Sequence, residues 1–367
     1  MEKFGFVGLP NAGKSSLYNA LTGGSALAAP YAFATTDPNI GVAKVFDERL
    51  EALAGVSGSK KLVHATVQFN DIGGLVAGAS QGEGLGNKFL SGIREVDAIV
   101  FVLRAFRDDD VPGPTDPMEH LAIVETELTL ADLDTVERQI EKKRKAAKAD
   151  KSLQPEVDAA NAALEILAEG TPLYRSQLSD AHRELLKPWF LLTNKPVLAI
   201  VNIDEEQLDD VDAIIAPVVA ELGTVDRNAD GSEVGNVFGA CIQLEAEAAQ
   251  LDPEDRAEML DALGLGEGAL PRFIQAAYHV LGLRTFLTTG PMETRAWTYR
   301  VGSTAPECAG KIHSDLQRGF IRSETIRWDE LVEIGSWAKA KEIGKVRSEG
   351  KDYIVQDGDV VDIRFNV

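Results

Sequence analysis

The chain is predicted to have an α/β fold, and three observations predict it. Short all-apolar runs such as AIVFVL (98–103) and VLAIV (197–201) suit strands buried on both faces of a sheet. Such runs alternate with helical stretches through the first third of the chain. A GxxxxGK[ST] string, GLPNAGKS (8–15), lies between the first predicted strand and the first predicted helix.

The elements follow in order. Strands are expected at 4–7, 41–46, 66–70, 98–103, 197–201 and 237–241, with a helix over 14–21 stopped by Gly23 and Gly24. From 119 to 147 apolar residues recur at three-four spacing: Leu121, Val124, Leu128, Leu133, Val136, Ile140. A second such helix follows Pro155, with Val157, Ala160, Leu164 and Leu167 on one face. The polar turn KADKSLQP between them makes this an antiparallel coiled-coil hairpin, projecting ~40 Å from the domain that it interrupts. Its tip, KKRKAAKADK, is either a contact surface or a solvated helix face. Closing helices are expected at 253–263 and 271–281. Past Arg284 the pattern becomes a compact α+β tail, with strands at 296–301, 353–355 and 360–367 and an Asp-Gly turn at 357–358. The expected domains are 1–118 with 188–283, the helical insert 119–187, and the tail 284–367.

The chain has 367 residues, 44% of them hydrophobic, enough for a real core. No apolar run is long enough for a membrane span, no signal-peptide pattern opens the chain, and Cys241 and Cys308 make neither a disulfide framework nor a CxxC pair. A cytoplasmic protein is expected. The net charge of −21 argues against wrapping nucleic acid, and no sequence-specific DNA binding is expected. Residues 284–367 hold 13 Lys/Arg and 13 Asp/Glu, leaving 24 against 45 of the totals 37 and 58 for the rest. The tail is neutral on an acidic body, so any contact with RNA is expected there. The surface charge suggests a monomer.

The loop at 8–15 carries the chemistry. Its glycines let backbone N–H groups close around phosphate oxygens, and the following helix N-terminus adds a positive field. Lys14 is placed to reach the β- and γ-phosphates and Ser15 to hold Mg²⁺. In FNDIGG (69–74), Asp71 ends a strand where a P-loop site needs its second acidic element, holding Mg²⁺ through water, and the Gly74 N–H would meet the γ-phosphate. Leu75 stands where signalling GTPases place a water-orienting Gln, so turnover is slow or another group places the nucleophile. Thr35 or Thr36 could close on Mg²⁺ as a switch. Guanine is read by an N-K-x-D loop whose carboxylate accepts from N1–H and N2–H₂. Asn194-Lys195 lacks the Asp and precedes a strand, whereas VNIDE (201–205) follows one, with Asn202 and Glu205 in the end positions. Adenine has no N1–H to give, so a site without that Asp favours ATP over GTP.

GLPNAGKSS, FATTDPN, DIGGLVAGASQGEGLGNKFL, the helical insert, VNIDE and the terminal EGKDYIVQDGDVVDIRFNV together resemble the Obg-like ATPase (YchF) family over nearly the whole chain. The resemblance implies a P-loop G domain with an inserted coiled-coil hairpin and a C-terminal TGS domain of β-grasp type. It implies an ATPase of the translation-factor class, with the ribosome as partner. It also implies phosphate contacts from Asn11, Ala12, Gly13, Lys14, Ser15 and Ser16, Mg²⁺ ligands Ser15 and Thr35, and an Asn11 like that of K⁺-stimulated members. Many members carry a His in the loop before the insert; here that segment is DDDVPGPTDP, without one. Two alternatives stay open: a GTPase in which Asp204 takes the place of Glu205, and a ribosome-binding adaptor for which nucleotide is a structural ligand.

Overall fold

The computed structural model describes residues 2–22, 40–72, 85–227 and 233–366. By compactness the chain divides into two units, one of residues 1–43, 68–225 and 235–273, the other of 44–67, 226–234 and 274–367. Residues 44–67 and 274–283, expected with the phosphate-loop domain, therefore fall in the unit of the tail.

The first unit is built on a six-stranded sheet. Its strands are β1 (Lys3–Val7), β2 (Ile40–Val45), β3 (Ala65–Asp71), β4 (Ala98–Arg104), β5 (Val197–Asn202) and β6 (Val237–Ala240), in the order β2-β3-β1-β4-β5-β6. The pairings of β1 with β3 and β4, of β4 with β5 and of β5 with β6 are all parallel. Every residue of β4 and of β5 is buried, as their unbroken apolar runs require. In a parallel sheet the loops beyond the strands' carboxyl ends form the natural binding crevice. Here those loops follow β1, β3, β4, β5 and β6.

Helices flank the sheet, namely α1 (Lys14–Thr22), α2 (Leu85–Arg94), α3 (Pro117–Ala149), α5 (Val211–Leu222) and α6 (Ile242–Ala248), while α4 (Gln154–Ala168) pairs with α3 away from it. The Asp116 side chain accepts from the Met118 N–H and Pro117 sits in the first turn, so α3 has a strong start signal. Leu121, Val124, Leu128 and Ala131 of α3 belong to the sheet's own hydrophobic core. Farther along, Val136 and Ile140 pack with Ala159, Ala160, Ala163 and Leu167 of α4 and with Trp189. Lys143 pairs with Glu156 and Arg144 donates to Asn161, which fixes the antiparallel hairpin. The expected ~40 Å projection is corrected accordingly: the first half of α3 is anchored to the sheet by its apolar face. Only residues 136–149 reach beyond it, about 20 Å at 1.5 Å per residue.

Asp132 fastens this helix. It is fully buried and accepts from the Leu192 N–H at 2.8 Å and from the Thr193 N–H and Oγ1, both at 2.7 Å, just before β5. Burial pushes its carboxyl up to about 6, although those three hydrogen bonds and Arg94 pull the other way. Helices Pro253–Ala262 and Ala269–Val280 lie near their expected positions.

In the second unit, six strands run in the order Arg347–Glu349, Phe320–Arg327, Asp359–Phe365, Leu283–Thr289, Thr294–Arg300, Leu62–Val63. Helix Ala305–Ile312 packs Cys308 and Ala309 with Phe286, Tyr299 and Phe320. Residues 44–67 join this unit for a chemical reason. Arg49 is bound by Asp47 at 2.7 Å and by Asp357 at 3.1 Å, and donates to Thr285 Oγ1 at 2.6 Å. The expected strand at 353–355 is reduced to a single bridge between Thr304 and Ile354, because its partner segment turns into the helix at Ala305. The Asp-Gly turn is present, with Gly358 at φ 81°. Among the described residues no helix is long and apolar enough to cross a membrane.

Candidate functional site

A cleft of about 1010 Å³ opens at the carboxyl ends of the parallel strands in the first unit. It gathers residues from five segments distant in sequence. Asn11, Gly13, Lys14, Ser15 and Ser16 form its floor, with Asp71 beside them. Phe106, Arg107, Asp108 and Val111 form one wall, and Asp204, Glu205 and the 241–250 segment form the far end.

The floor is shaped by backbone that few residues tolerate. Gly13 has φ 101°, and a Cβ there would lie 2.4 Å from the Asn202 amide nitrogen. Asn11 also takes the left-handed region, at φ 63°, which asparagine accepts better than most residues. Lys14 is buried, and its Nζ donates to the carbonyls of Gly8 at 3.0 Å and Leu9 at 2.7 Å. Burial pushes its pKa down to about 8, against a raising field from Asp71. Two carbonyl bonds do not neutralise an ammonium, so an anion brought to this loop meets an undercompensated cation. Ser15 Oγ donates to Asp71 Oδ2 at 2.9 Å. A hydroxyl and a carboxylate side by side are hard oxygen donors of the kind Mg²⁺ takes. Among the described residues no three His, Cys, Asp or Glu side chains cluster as a metal site of their own. A magnesium ion here would be held by these oxygens together with groups other than such a cluster, phosphate oxygens and water among them. Among the described residues five carboxylates face the cleft (Asp71, Asp108, Asp204, Glu205, Glu247) against two cations (Lys14, Arg107). A naked triphosphate would be repelled, and one carrying its own cation would not.

Asn202 lines the cleft and also braces it. Its Nδ2 donates to the Ala12 carbonyl at 3.1 Å and its Oδ1 accepts from the Ile242 N–H at 3.3 Å. It thus ties the floor to the start of α6. Ala12 itself is buried and contributes its carbonyl, not a side chain, to this arrangement. Asp204 is also engaged. Its Oδ2 accepts from the Arg107 N–H at 3.0 Å, and its own N–H donates to Gln207 Oε1 at 3.0 Å. Glu205 is exposed in the cleft. Of the two end-loop carboxylates lining the cleft, Glu205 is the exposed one. Asn194 and Lys195 are structural: they donate to the carbonyl of Arg183 and to those of Arg94 and Val96. Thr35, Thr36, Gly74 and Leu75 lie outside the described residues.

Three contributors escaped the sequence reading. The first is Arg104 at the end of β4, 1% exposed. Its guanidinium donates to the carbonyls of Phe106 at 3.1 Å, Val111 at 2.9 Å and Asp108 at 3.2 Å, and lies 4.5 Å from the centre of the Phe106 ring. One buried cation thereby holds the loop that forms the cleft wall. Arg104→Met should cost about 3 kcal/mol of stability, since buried carbonyls lose their donor. It should also weaken nucleotide binding about tenfold, or ~1.4 kcal/mol, in titrations of folded variant against wild type. The second is His120, buried on α3, bound to the Pro114 carbonyl at 2.8 Å and held below its ordinary pKa by burial, with Arg104 and Lys14 adding to the effect. The third is the Cys241–Leu244 stretch in the cleft wall. Only the helical apolar spacing around His120 was visible beforehand; nothing marked the other two.

A family model described as "50S ribosome-binding GTPase" matches residues 3–203, and one named YchF-GTPase_C, described as "Protein of unknown function (DUF933)", matches 283–366. The "Ribosome-binding ATPase YchF" of Bacillus subtilis (strain 168) is 45% identical over 367 residues, covering 99% of each chain. The chain belongs to the YchF family. A second YchF, from Haemophilus influenzae and bearing the same name, is 43% identical over 100% of this chain and 99% of its own. The solved Schizosaccharomyces pombe "YchF GTPase" superposes with a TM-score of 0.83 at 30% identity, covering 99% of this chain and 97% of that one. The YchF fold of a P-loop domain, a helical region and a C-terminal domain is the one described above. The names of these YchF relatives divide on the base, ATP or GTP.

Proposed function

We propose that this chain is an ATP-hydrolysing switch that binds the ribosome. The carrying observation is at the far end of the cleft: Glu205 is presented and Asp204 is tied to the Arg107 N–H. The position that reads guanine in an N-K-x-D loop thus carries Glu205, one methylene longer than Asp, while Asp204 is held by Arg107, and this supports adenine. The relatives' name, ribosome-binding ATPase, supports both the nucleotide and the partner.

In this reading the backbone of Asn11, Ala12, Gly13, Lys14, Ser15 and Ser16 surrounds the phosphates. Lys14 leaves the Gly8 and Leu9 carbonyls for the β,γ-bridging region and neutralises charge as the terminal phosphoryl group departs. Ser15 and Thr35 hold Mg²⁺, with Asp71 reaching it through water, and the Gly74 N–H meets the γ-phosphate. Mg²⁺ held there would supply further neutralisation of phosphate charge, and K⁺ beside Asn11 would add to it. The domains in this reading are the G domain 1–118 with 188–283, a coiled-coil insert 119–187 and a TGS domain 284–367. A parallel contact between Leu283–Thr289 and Asp359–Phe365, with helix Ala305–Ile312 packed on the sheet, supports the β-grasp assignment. A cytoplasmic monomer fits the charge and the partner.

The test is equilibrium binding of fluorescent ATP and GTP analogues with Mg²⁺ and K⁺, repeated for Glu205→Asp. ATP should bind at least tenfold tighter than GTP, about 1.4 kcal/mol, and Glu205→Asp should narrow the gap. Tighter GTP binding by the wild type would replace this reading with the GTPase one, which the name of the S. pombe relative favours.

A further inference from the structure

A second cleft of about 710 Å³ lies in the first unit, between the end of α2, the middle of α3 and the turn at Trp189–Phe190. Its charge is opposite to that of the chain. Among the described residues Arg94, Arg138 and Lys142 line it against a single carboxylate, Glu95, in a protein of net charge −21. Phe190 stands at its rim with 61% of its surface exposed and with φ 52°, in the left-handed region. A bulky residue gains nothing locally from that conformation, and an exposed phenyl ring gains nothing from water. The conformation is nevertheless fixed at both ends. The Phe190 N–H donates to the Lys187 carbonyl at 3.1 Å, and the Phe190 carbonyl accepts from Arg94 at 3.1 Å. Arg94 is itself held by Thr135 Oγ1 at 3.2 Å.

On α3, Arg138, Lys142 and Lys145 follow at i, i+4 and i+7, a stripe running from the cleft about 10 Å toward the hairpin turn. Arg138 has an exposed partner, Asp134, one turn away. Such a surface pair is weak and exchanges readily for a phosphate. Lys142 and Lys145 are exposed and make no ion pair among the described residues.

We propose that this cleft and stripe bind single-stranded RNA, one unpaired base lying on Phe190 and the phosphates following Arg138, Lys142 and Lys145. A flat, sequence-tolerant aromatic beside a line of cations is how unpaired nucleotides are held. The stripe continues past the cleft, which fits a polyanion better than a free mononucleotide. This deepens the ribosome reading by naming RNA as what this face meets. It is independent of the nucleotide cleft and of the neutral tail, where sequence placed any RNA contact.

The test uses the full chain with saturating nucleotide and a labelled octauridylate, followed by fluorescence anisotropy from 50 to 200 mM salt. Wild type should bind with a log–log salt slope near −2, about −0.7 for each of three phosphates. Phe190→Asn should weaken binding about tenfold while leaving the melting temperature unchanged or raised, because asparagine accepts the left-handed region. Lys142→Gln with Lys145→Gln should flatten the slope to about −0.7. Unchanged affinity in Phe190→Asn, an unchanged slope in the double variant, or equal displacement by hexaglutamate would each overturn the proposal. Co-sedimentation with ribosomes is measured in parallel. Octauridylate binding of this kind without co-sedimentation upholds the RNA site and overturns the ribosome reading alone.

Discussion

Lys14→Ala is expected to lower kcat/KM for ATP by at least 10²–10³-fold, about 3–4 kcal/mol of transition-state stabilisation. The residue is positioned for it. Among the described residues its buried ammonium is held by the carbonyls of Gly8 and Leu9 alone, and the one other cation lining the cleft there, Arg107, belongs to a wall. Charge developing on a departing phosphoryl group therefore has no substitute donor among the described side chains. The fold should survive, since removing Lys14 removes a desolvated charge as well as two hydrogen bonds. Steady-state turnover with a melting curve of the same sample separates these effects. A variant that keeps its melting temperature and more than a tenth of wild-type turnover would remove Lys14 from the mechanism.

Asp132→Ala is expected to cost about 3–5 kcal/mol of folding stability. Three donors converge on that carboxylate, the N–H groups of Leu192 and Thr193 and the Thr193 hydroxyl, and all would be left buried without an acceptor. The native carboxyl also makes stability depend on pH. Its folded pKa, about 6, lies above the ordinary 3.8. Between those values the folded protein binds more protons than the unfolded chain, so stability falls as pH rises. The contribution is fully present below pH ~4 and lost by pH ~7, an order-of-magnitude total of 3 kcal/mol. Asp132→Asn should remove that slope, so the variant gains on wild type as pH rises from 4 to 7. Urea midpoints at pH 4, 5, 6 and 7 would show it; parallel profiles for the two proteins would assign the slope to other groups.

Much of this architecture was legible in the chain because it is written in local patterns. AIVFVL and VLAIV could be strands only inside a two-sided sheet, and they are β4 and β5. The string at 8–15 placed the floor of the cleft, and DIGG placed Asp71 beside Ser15 across 56 residues. What stayed illegible depends on distant partners. Arg49 finds Asp357 across 308 residues, and no periodicity records it. Arg104 reads as the polar end of a strand; that its guanidinium binds backbone carbonyls of the next loop and the Phe106 ring follows from that loop's path, which sequence does not give. Asn202 stood in the right place, yet its bonds to Ala12 and Ile242 make it a brace for the walls. The division of α3 between two cores was hidden for another reason, since the same three-four spacing serves a sheet and a helical partner equally well.

The strand order carries a consequence for synthesis. β4, entirely apolar until its terminal Arg104, has β1 on one side and β5 on the other. β1 emerges long before it, but β5 begins at Val197, roughly ninety residues after β4 ends. At about 5–20 residues per second a ribosome needs on the order of 5–18 s to make that interval. Throughout it, the nascent sheet presents a bare, flat, uncharged edge of the kind that recruits other strands. The hairpin, translated in that interval, brings the sheet-facing half of α3 to cover a face but leaves the edge open. Nascent chains stalled before residue 197 should therefore be the aggregation-prone ones, and those released after it should not.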